Sequence, residues 1–262
     1  MSRAGRIVLP ILFWAFVVYL FVPLILMVVM GFKDSRFIGF PIRGLTFEWY
    51  LGVFEDTDVI VTFLYSVVIA VASTAASVII GTWLAVLLNG KKFIGRAAVY
   101  GMMILPALVP GIISAIAFRI YARQLEIEPG MFAIIWAHAV HNVPFVTLVV
   151  MARLSTLPKS LGEAARDLGA DPFVVFMRIT MPYLRPAIIG ASIFCLLLSF
   201  DDFVRSFFLG SYQPTLPVLI FAKLRSGMSP EINAIATVAL ILTAALGIWA
   251  ERSSRRLKKE SS

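Results

Sequence analysis

Two adjacent carboxylates, Asp201 and Asp202, stand in an otherwise apolar stretch of this 262-residue chain. A charged group at membrane depth costs about 2.5–3.5 kcal/mol on insertion scales, so such residues usually face a polar pathway. An acidic pair in that setting could attract a cationic solute. Arg205 follows three or four residues along the same helix face and could instead pair with the acids. The two roles are compatible.

Other residues with useful chemistry are few. His138 and His141 have the i, i+3 spacing of two ligands on one helix face, but no Cys or carboxylate lies nearby in sequence to complete a metal site. We therefore expect them to be packed or hydrogen-bonded. The single cysteine, Cys195, excludes a disulfide framework and a Cys-based metal cluster. No nucleophile–base pair is evident, so we expect no catalytic residues, no metal and no cofactor.

The composition predicts a membrane protein. The chain is 60% apolar and 15% charged, with a mean hydropathy of +0.92. Soluble domains average about 45–50% apolar and about 25% charged residues. A helix needs ~20 apolar residues to cross the hydrocarbon core. We predict an all-α protein with one transmembrane domain over residues 1–262 and no separate soluble domain. Its six predicted spans are 7–31, 60–88, 97–119, 131–151, 187–208 and 232–250.

Most basic residues fall on one side of this arrangement. They include Arg3, Lys91, Lys92, several in the loop 152–186, and the tail 252–259. The positive-inside rule then makes both termini cytoplasmic. This distribution favours membrane orientation over nucleic-acid binding as the reason for the net charge of +8. The first apolar run exceeds the ~7–15 residues of a signal-peptide core, so we expect an uncleaved first span.

The loop 152–186 is the least membrane-like internal stretch, and it predicts a helical elbow. Ser160 and Glu163 have the S-x-x-E spacing of a capping box that starts a first helix. Gly169 would end that helix in a left-handed conformation. An apolar face at helical spacing is also predicted on it. This face consists of Leu161, Ala164, Ala165 and Leu168.

A second short helix is predicted directly after the first. Asp171 would be its N-cap and Pro172 its first helical residue. Pro182 and Pro186 would stop it. From these residues alone, the elbow could equally be a well-capped connector in which Glu163 only caps its own helix.

The spacing of this loop resembles the EAA loop of bacterial ATP-binding-cassette (ABC) importer permeases. The family pattern is EAA-x3-G-x9-I-x-L-P, and the chain departs from it only in Met181 for Leu, a volume-conserving change. The resemblance implies a type I, MetI-like bundle whose cytoplasmic coupling helix docks on an ATPase and transmits its closure to the spans. The implied coupling residues are Glu163, Ala164, Ala165, Gly169, Asp171, Ile179 and Pro182.

The same resemblance implies partners. The sequence has no G-x4-G-K-[ST] phosphate-binding loop, so ATP would be bound by a separate chain and this chain would not be an enzyme. One six-span chain would form half of a pathway, completed by an identical or homologous permease. Two ATPase subunits and a periplasmic solute-binding protein would complete the importer in the bacterial inner membrane.

Within this class, the chain resembles the spermidine/putrescine-type permeases. The likeness runs from about Trp49 to the last span and includes an S-x-D-D-x-V-x-S-F run from Ser199 and an S-P-E-x-N-A segment from Ser229. It implies a small cationic solute such as a polyamine. The residues it assigns to the pathway and its outer mouth are Asp201, Asp202, His138, Glu231 and Asn233.

Two positions depart from the polyamine pattern. Ala107 stands where those permeases carry an acidic residue, and Arg205 stands where they carry an apolar one. A cation beside the acid pair would oppose a polycation by Coulomb repulsion. Import of an opine, an amino-acid derivative or another small solute therefore stays open. A different class, an ion-coupled secondary transporter or channel, also stays open but would leave the EAA spacing unexplained.

Overall fold

The computed structural model describes the backbone of residues 3–90 and 93–260. Side chains are described within those ranges except for 3–7, 250, 251 and 253–260. Lys91 and Lys92 lie outside the described residues, as do the side chains of Arg3 and Arg6 and those of the basic tail beyond Arg252.

The described residues form helices and turns without a named strand, apart from one isolated antiparallel bridge between Lys33 and Leu45. The helices are α1 (Arg3–Met30), α2 (Glu48–Glu55), α3 (Thr57–Asn89), α4 (Arg96–Leu108), α5 (Gly111–Gln124), α6 (Met131–Leu154), α7 (Lys159–Asp167), α8 (Pro172–Val175), α9 (Met181–Phe200), α10 (Phe203–Leu209), α11 (Leu216–Ser226) and α12 (Pro230–Glu260). A π-helical turn, Phe176–Thr180, joins α8 to α9.

Five helical segments in the described chain are long and apolar enough to cross a membrane. They confirm the predicted all-α membrane fold, and four of them match predicted spans to within a few residues. The five segments are Val8–Met30, Thr57–Asn89, Met131–Leu154, Pro172–Phe200 and Pro230–Trp249.

Two predicted spans differ from the structure. The span 97–119 was expected to be continuous, but it consists of two helices, α4 and α5, with a bend of 111° between them. The described chain has six candidate spans only if this bent pair is counted as one span. Pro110 is the N-cap of α5 and lacks the N–H that would continue a helix from α4. The span 187–208 was also expected to be continuous, but α9 ends at Phe200 and α10 is a separate helix.

The fold contains two compact units. The first comprises the chain up to Val61 together with Leu219–Thr243, and the second comprises Thr62–Val218 together with the chain from Ala244. The prediction of one permease domain over residues 1–262 stays a prediction.

In the first unit, α2 is fixed to the end of α1 by its aromatic residues. The Tyr50 hydroxyl donates to the carbonyl of Val28 at 3.0 Å, and the Trp49 indole donates to the carbonyl of Lys33 at 3.0 Å. α2 begins at Glu48, so both aromatic residues lie in its first turn. These two side chains therefore attach α2 to the end of α1 and to the residues just beyond it.

In the second unit, α6 is the most buried helix. Its apolar side chains pack with α3 and α9 in one core. Gly81 permits the contact with α3, because a Cβ at this position would lie only 2.7 Å from Cβ of Val146. The residues of this core are Ala85, Val146, Val150, Leu154, Leu184, Ala191 and Cys195.

Candidate functional site

The acid pair lies at the break between α9 and α10, where the sequence had predicted a continuous helix. Asp201 is the C-cap of α9 and Asp202 is the N-cap of α10. The Oδ1 atom of Asp202 accepts the backbone N–H of Arg205 at 2.9 Å, which satisfies one of the free amides at the start of α10. The break therefore places both carboxylates at helix ends.

The two carboxylates have different surroundings. Asp202 forms an ion pair with the guanidinium of Arg205, and their side chains are only 11% and 8% exposed. Asp201 is exposed, and its side chain makes no hydrogen bond or ion pair with any described residue. Of the two roles weighed from sequence, pairing with Arg205 therefore applies to Asp202, while Asp201 keeps a free carboxylate.

His138 connects this pair to a buried chain of hydroxyl groups. Its side chain is 1% exposed, with Nδ1 2.7 Å from Oγ of Ser199 and Nε2 3.8 Å from Oδ2 of Asp202. The Ser199 hydroxyl is in turn 2.8 Å from Oγ of Ser73 on α3. On the other side, Nη2 of Arg205 donates to Oγ of Ser114 on α5 at 3.4 Å. Five helices of the second unit thus contribute to one polar network.

The network satisfies groups that would otherwise be costly inside an apolar bundle. A buried polar group without a partner costs about 1–3 kcal/mol, and a buried unpaired charge costs more. The second ring nitrogen of His138 also lies 3.5 Å from Oγ of Ser206. His141 does not join it, because its Nδ1 lies 3.3 Å from the carbonyl oxygen of Pro106. The described residues contain no group of three or more His, Cys, Asp or Glu placed to hold a metal ion.

The other two predicted pathway residues lie in the first unit. Glu231, at the start of α12, accepts from Lys223 at 2.6 Å, and the same ammonium is 3.8 Å from Asp56. Burial alone would lower the pKa of Lys223, but the hydrogen bond and charge of Glu231, with the charges of Asp56 and Asp58, outweigh it and raise the pKa. Asn233 is half-buried one residue beyond Ile232.

A cavity of about 730 Å³ lies beside this charge cluster in the first unit. Its walls combine carboxylates with aromatic rings, a combination that suits organic ammonium groups. The residues that give it this character are Phe47, Glu48, Trp49, Glu55, Asp56 and Glu231. The predicted pathway set is therefore divided: His138, Asp201 and Asp202 are brought together in the second unit, and Glu231 and Asn233 belong to the first.

The elbow has both predicted helices, but its first cap is not the predicted one. α7 begins at Lys159 with Pro158 as N-cap, and no side chain caps it. The carbonyl of Pro158 already accepts the N–H of Leu161 at 3.2 Å, so Ser160 lies inside the first turn and cannot cap it. The capping box of Ser160 and Glu163 was therefore wrong, and the side chain of Glu163 is left exposed.

The junction between α7 and α8 agrees with the prediction. Gly169 has φ +86°, and its N–H bonds to the carbonyl of Arg166 at 2.8 Å while that of Ala170 bonds to Ala165 at 3.0 Å. This is the Schellman arrangement, which needs a left-handed residue at this position. Asp171 then caps α8, its Oδ1 accepting the N–H of Phe173 at 2.8 Å. The turn between the two helices is therefore held at both ends.

The second elbow helix does not stop at the prolines. It continues through the π-helical turn Phe176–Thr180 into α9. Pro182 follows this π-helical turn, where the N–H of Met181 already bonds to the carbonyl of Phe176 instead of following the α-helical pattern, and Pro186 lies inside the helix. The elbow is thus directly continuous with the span that ends at the acid pair.

The predicted apolar face of α7 is not buried by the described chain. No residue of α7 is buried, and Leu161 is 49% and Leu168 89% exposed. Phe173 on α8 adds a ring that is 67% exposed. An exposed apolar patch of this kind, rimmed by charged residues, is typical of a protein–protein contact.

Sequence reasoning missed the hydroxyl partners of the site and the lysine of the first unit. Ser73, Ser114 and Ser199 are hydroxyl residues within apolar helices, and this is the signal that could have identified them. Lys223 could have been identified as a cation seven positions before a predicted outer-mouth segment at Pro230. Its second partner, Asp56, is too distant in sequence to be inferred.

Together, the broken spans, the polar network within them and the exposed elbow define a multi-pass transport subunit. Residues 77–260 match the family described as binding-protein-dependent transport system inner membrane component, and the chain belongs to that family. It is an inner-membrane permease subunit of an ABC importer, as the EAA resemblance predicted.

Two curated relatives from Escherichia coli (strain K12) match nearly the whole chain. The spermidine/putrescine transport system permease protein PotC is 32% identical over 252 residues, covering 96% of this chain and 95% of PotC. The putrescine transport system permease protein PotI is 33% identical over 263 residues, covering 97% of this chain and 92% of PotI. The predicted resemblance to spermidine/putrescine-type permeases is confirmed.

Solved structures support the fold. A chain of a bacterial ABC transporter involved in the import of the acidic polysaccharide alginate superposes with a TM-score of 0.78 at 18% identity, covering 96% of this chain and 98% of that one. A chain of the MetNI methionine ABC transporter gives a TM-score of 0.64 at 20% identity, covering 74% and 93%. These likenesses confirm the MetI-like fold.

Proposed function

We propose that this permease subunit imports a small organic ammonium solute of the spermidine/putrescine class. The observation that carries the proposal is the free carboxylate of Asp201 at the break between α9 and α10, next to a buried polar network. The similarity to PotC and PotI supports the same solute class. The acidic, aromatic-lined cavity at Glu231 supports it independently. In this proposal Asp201, Asp202 and His138 line the pathway, and Glu231 and Asn233 lie near its outer mouth.

The partners and the orientation belong to the same proposal. A second permease subunit, identical or homologous, completes the pathway, two ATPase subunits bind ATP, and a periplasmic protein delivers the solute. Both termini and the elbow lie on the cytoplasmic side, which the distribution of basic residues supports.

The elbow is the proposed coupling element. Its exposed face at Leu161, Leu168 and Phe173 would be buried against the ATPase. Because its turn is capped at Gly169 and Asp171 and α8 continues into α9, motion of the elbow is transmitted along a helix to the acid pair. The exposed Glu163 would form charged contacts with the ATPase.

Reconstitution tests the function. The chain is purified with its co-expressed transporter subunits, placed in liposomes with the delivery protein, and assayed for uptake of labelled putrescine and spermidine. We expect uptake only when ATP and the ATPase are both present. Uptake without the ATPase would identify an ion-coupled transporter or channel and would refute the proposal.

Charge reversal tests the elbow. Glu163→Lys should abolish ATP-driven uptake while membrane insertion and yield stay normal. Asp167→Lys on the same helix lies outside the EAA pattern and is the matched control, expected to retain most uptake. Equal uptake in wild type and both variants would mean that the elbow is only a connector.

The acid pair needs single variants because its two members have different partners. Asp201→Asn removes the free carboxylate without disturbing a described contact, so uptake of a cationic amine should fall while the complex remains stable. Asp202→Asn leaves the buried Arg205 without a counter-charge, so it should lower stability as well. Unchanged amine uptake in Asp201→Asn would exclude this carboxylate from the pathway.

A further inference from the structure

The local charge of the acid pair is fixed by a third residue. Arg205 engages both oxygen atoms of Asp202: its backbone N–H bonds to Oδ1 and its guanidinium pairs with Oδ2. Asp201 is exposed, and no described residue hydrogen-bonds to its side chain or forms an ion pair with it. Three charged side chains therefore present one net negative charge, and that charge is on Asp201.

A solute ammonium cannot easily take the place of Arg205. The guanidinium cannot lose its proton in a protein, and its side chain is only 8% exposed. Its Nη2 atom also donates to Ser114 on α5, which holds it against the second unit. Releasing Asp202 would leave a buried positive charge unpaired, which is strongly unfavourable.

The other neighbours of Asp202 keep it in place. As N-cap of α10 it stabilises the first turn of that helix, and its Oδ2 atom lies 3.8 Å from Nε2 of the buried His138. Turning toward a solute would break the cap as well as the ion pair. The accessible chemistry of the pair is thus that of one carboxylate.

We propose that Arg205 is a specificity-determining residue that makes this point of the pathway bind one ammonium group. A diamine placing one ammonium at Asp201 finds no second free carboxylate here, because the charge of Asp202 is neutralised by Arg205. An amino alcohol of the same length should bind equally well. This inference rests on the proposed function, because it takes the solute to be an organic ammonium compound.

Equilibrium binding to the assembled transporter tests the inference. The full chain, purified with its co-expressed subunits in nanodiscs without the delivery protein, is titrated with putrescine and with 4-amino-1-butanol, which replaces one ammonium by a hydroxyl. The two affinities should agree within about threefold in the wild type. This difference is smaller than the effect of one charge-assisted contact. A wild-type preference for putrescine of about tenfold or more would overturn the proposal, as would the absence of binding by either compound.

Variants of Arg205 should change the ratio of the two affinities. Arg205→Leu removes the counter-charge at Oδ2 of Asp202, while Oδ1 still accepts the backbone N–H that caps α10. The restored negative charge should raise the preference for putrescine about tenfold, the effect of one additional charge-assisted contact. Arg205→Gln makes the same charge change with a polar side chain and serves where the leucine variant fails to assemble. Arg205→Lys keeps the charge and should keep the wild-type ratio. An unchanged ratio in assembled Arg205→Leu or Arg205→Gln complexes would overturn the proposal.

A double variant separates charge from packing. Asp202→Asn with Arg205→Leu again leaves Asp201 as the single charge, so the ratio should return to the wild-type value. A ratio that stayed high in the double variant would show that lost side-chain volume is responsible, and would also overturn the proposal. Asp201→Asn should abolish binding of both compounds.

The readouts distinguish this inference from the proposed function. The binding ratio reports on the site alone, whereas ATP-driven uptake reports on import. Loss of ATP-driven amine uptake with the expected binding ratios would contradict the import proposal and leave the role of Arg205 supported. Normal uptake with an unchanged binding ratio in the Arg205 variants would support the import proposal and contradict the role of Arg205.

Discussion

The crossing of α3 and α6 at Gly81 gives a prediction whose size follows from the structure. A Cβ at Gly81 would lie 2.7 Å from Cβ and 2.8 Å from Cγ1 of Val146, and 3.2 Å from the backbone nitrogen of Thr147. Carbon atoms pack best at about 3.5–4.0 Å, so Gly81→Ala must separate the two helices by roughly 1 Å. Because a backbone atom is among the contacts, no side-chain rotation removes the clash.

Overpacking of this kind costs about 1–3 kcal/mol. Alanine also gains up to about 1 kcal/mol over glycine inside a helix, which would mask part of the cost. Gly190→Ala in α9 is the matched control, because nothing lies within 4 Å of a Cβ at that position and only the helix gain remains. The difference between the two variants therefore isolates the overpacking term.

The single cysteine provides the assay. Cys195 is fully buried in the core between α6 and α9, so a thiol-reactive fluorophore reacts when the purified chain unfolds in detergent. Gly81→Ala should melt roughly 3–9 °C below Gly190→Ala. Adding Val146→Ala removes the Cγ1 contact but not the Cβ contact, so it should restore part of the loss. Equal melting of the two alanine variants would refute the close approach of α3 and α6.

Three further predictions concern polar contacts. Lys223→Met should lower the melting temperature near neutral pH. The pKa of Lys223 in the folded protein is raised above its ordinary value of 10.5. In melts at increasing pH, the difference in melting temperature from wild type should therefore persist below pH 10.5 and shrink as the pH rises through the folded pKa. Asp171→Ala should cost about 1 kcal/mol of helix capping and lower the ratio of uptake to ATP hydrolysis, whereas Asp171→Asn, which can still cap, should retain both. Ser199→Ala leaves His138 and Ser73 without their shared partner and should cost about 1–3 kcal/mol, measured as a lower melting temperature; wild-type stability would contradict the network.

Long apolar runs were enough to predict the membrane helices, but not their breaks. Hydropathy depends on composition alone and therefore does not reveal a break. A break is tolerated where the backbone groups that it frees find partners elsewhere in the fold. At the break between α9 and α10, the amide of Arg205 bonds to Asp202, and the amide of Asp202 is 3.4 Å from the carbonyl oxygen of Ser199. At the bend between α4 and α5, Pro110 has no N–H to leave unpaired, and the carbonyl oxygen of Pro106 lies 3.3 Å from Nδ1 of His141. A short segment of sequence shows the proline or the acid pair, but it does not show the contacts that make a break tolerable.

The candidate site could be predicted where its contacts are local. The pairing of Asp202 with Arg205 follows from i, i+3 spacing, and the cap at Asp171 follows from the adjoining proline. The contacts of His138 with Ser199 and of Lys223 with Asp56 could not be predicted, because they join residues far apart in the chain. The failed capping box at Ser160 shows a different limit: the helix begins two residues earlier than the motif requires, with Pro158 as its N-cap.

The first helix has a consequence for how this sequence can diverge. Nearly every side chain of α1 from Val8 to Leu26 is exposed in the isolated chain, whereas α6 buries twelve of its residues. Selection on α1 within this chain therefore acts on average apolarity and length, and selection on α6 acts on the shape of individual side chains. In a library covering every substitution, α1 should accept exchanges among Leu, Ile, Val and Phe almost freely. The same exchanges at Val146 or Val150 should be lost, so rates of neutral change along the gene should differ between these two spans, although both are apolar enough to cross a membrane.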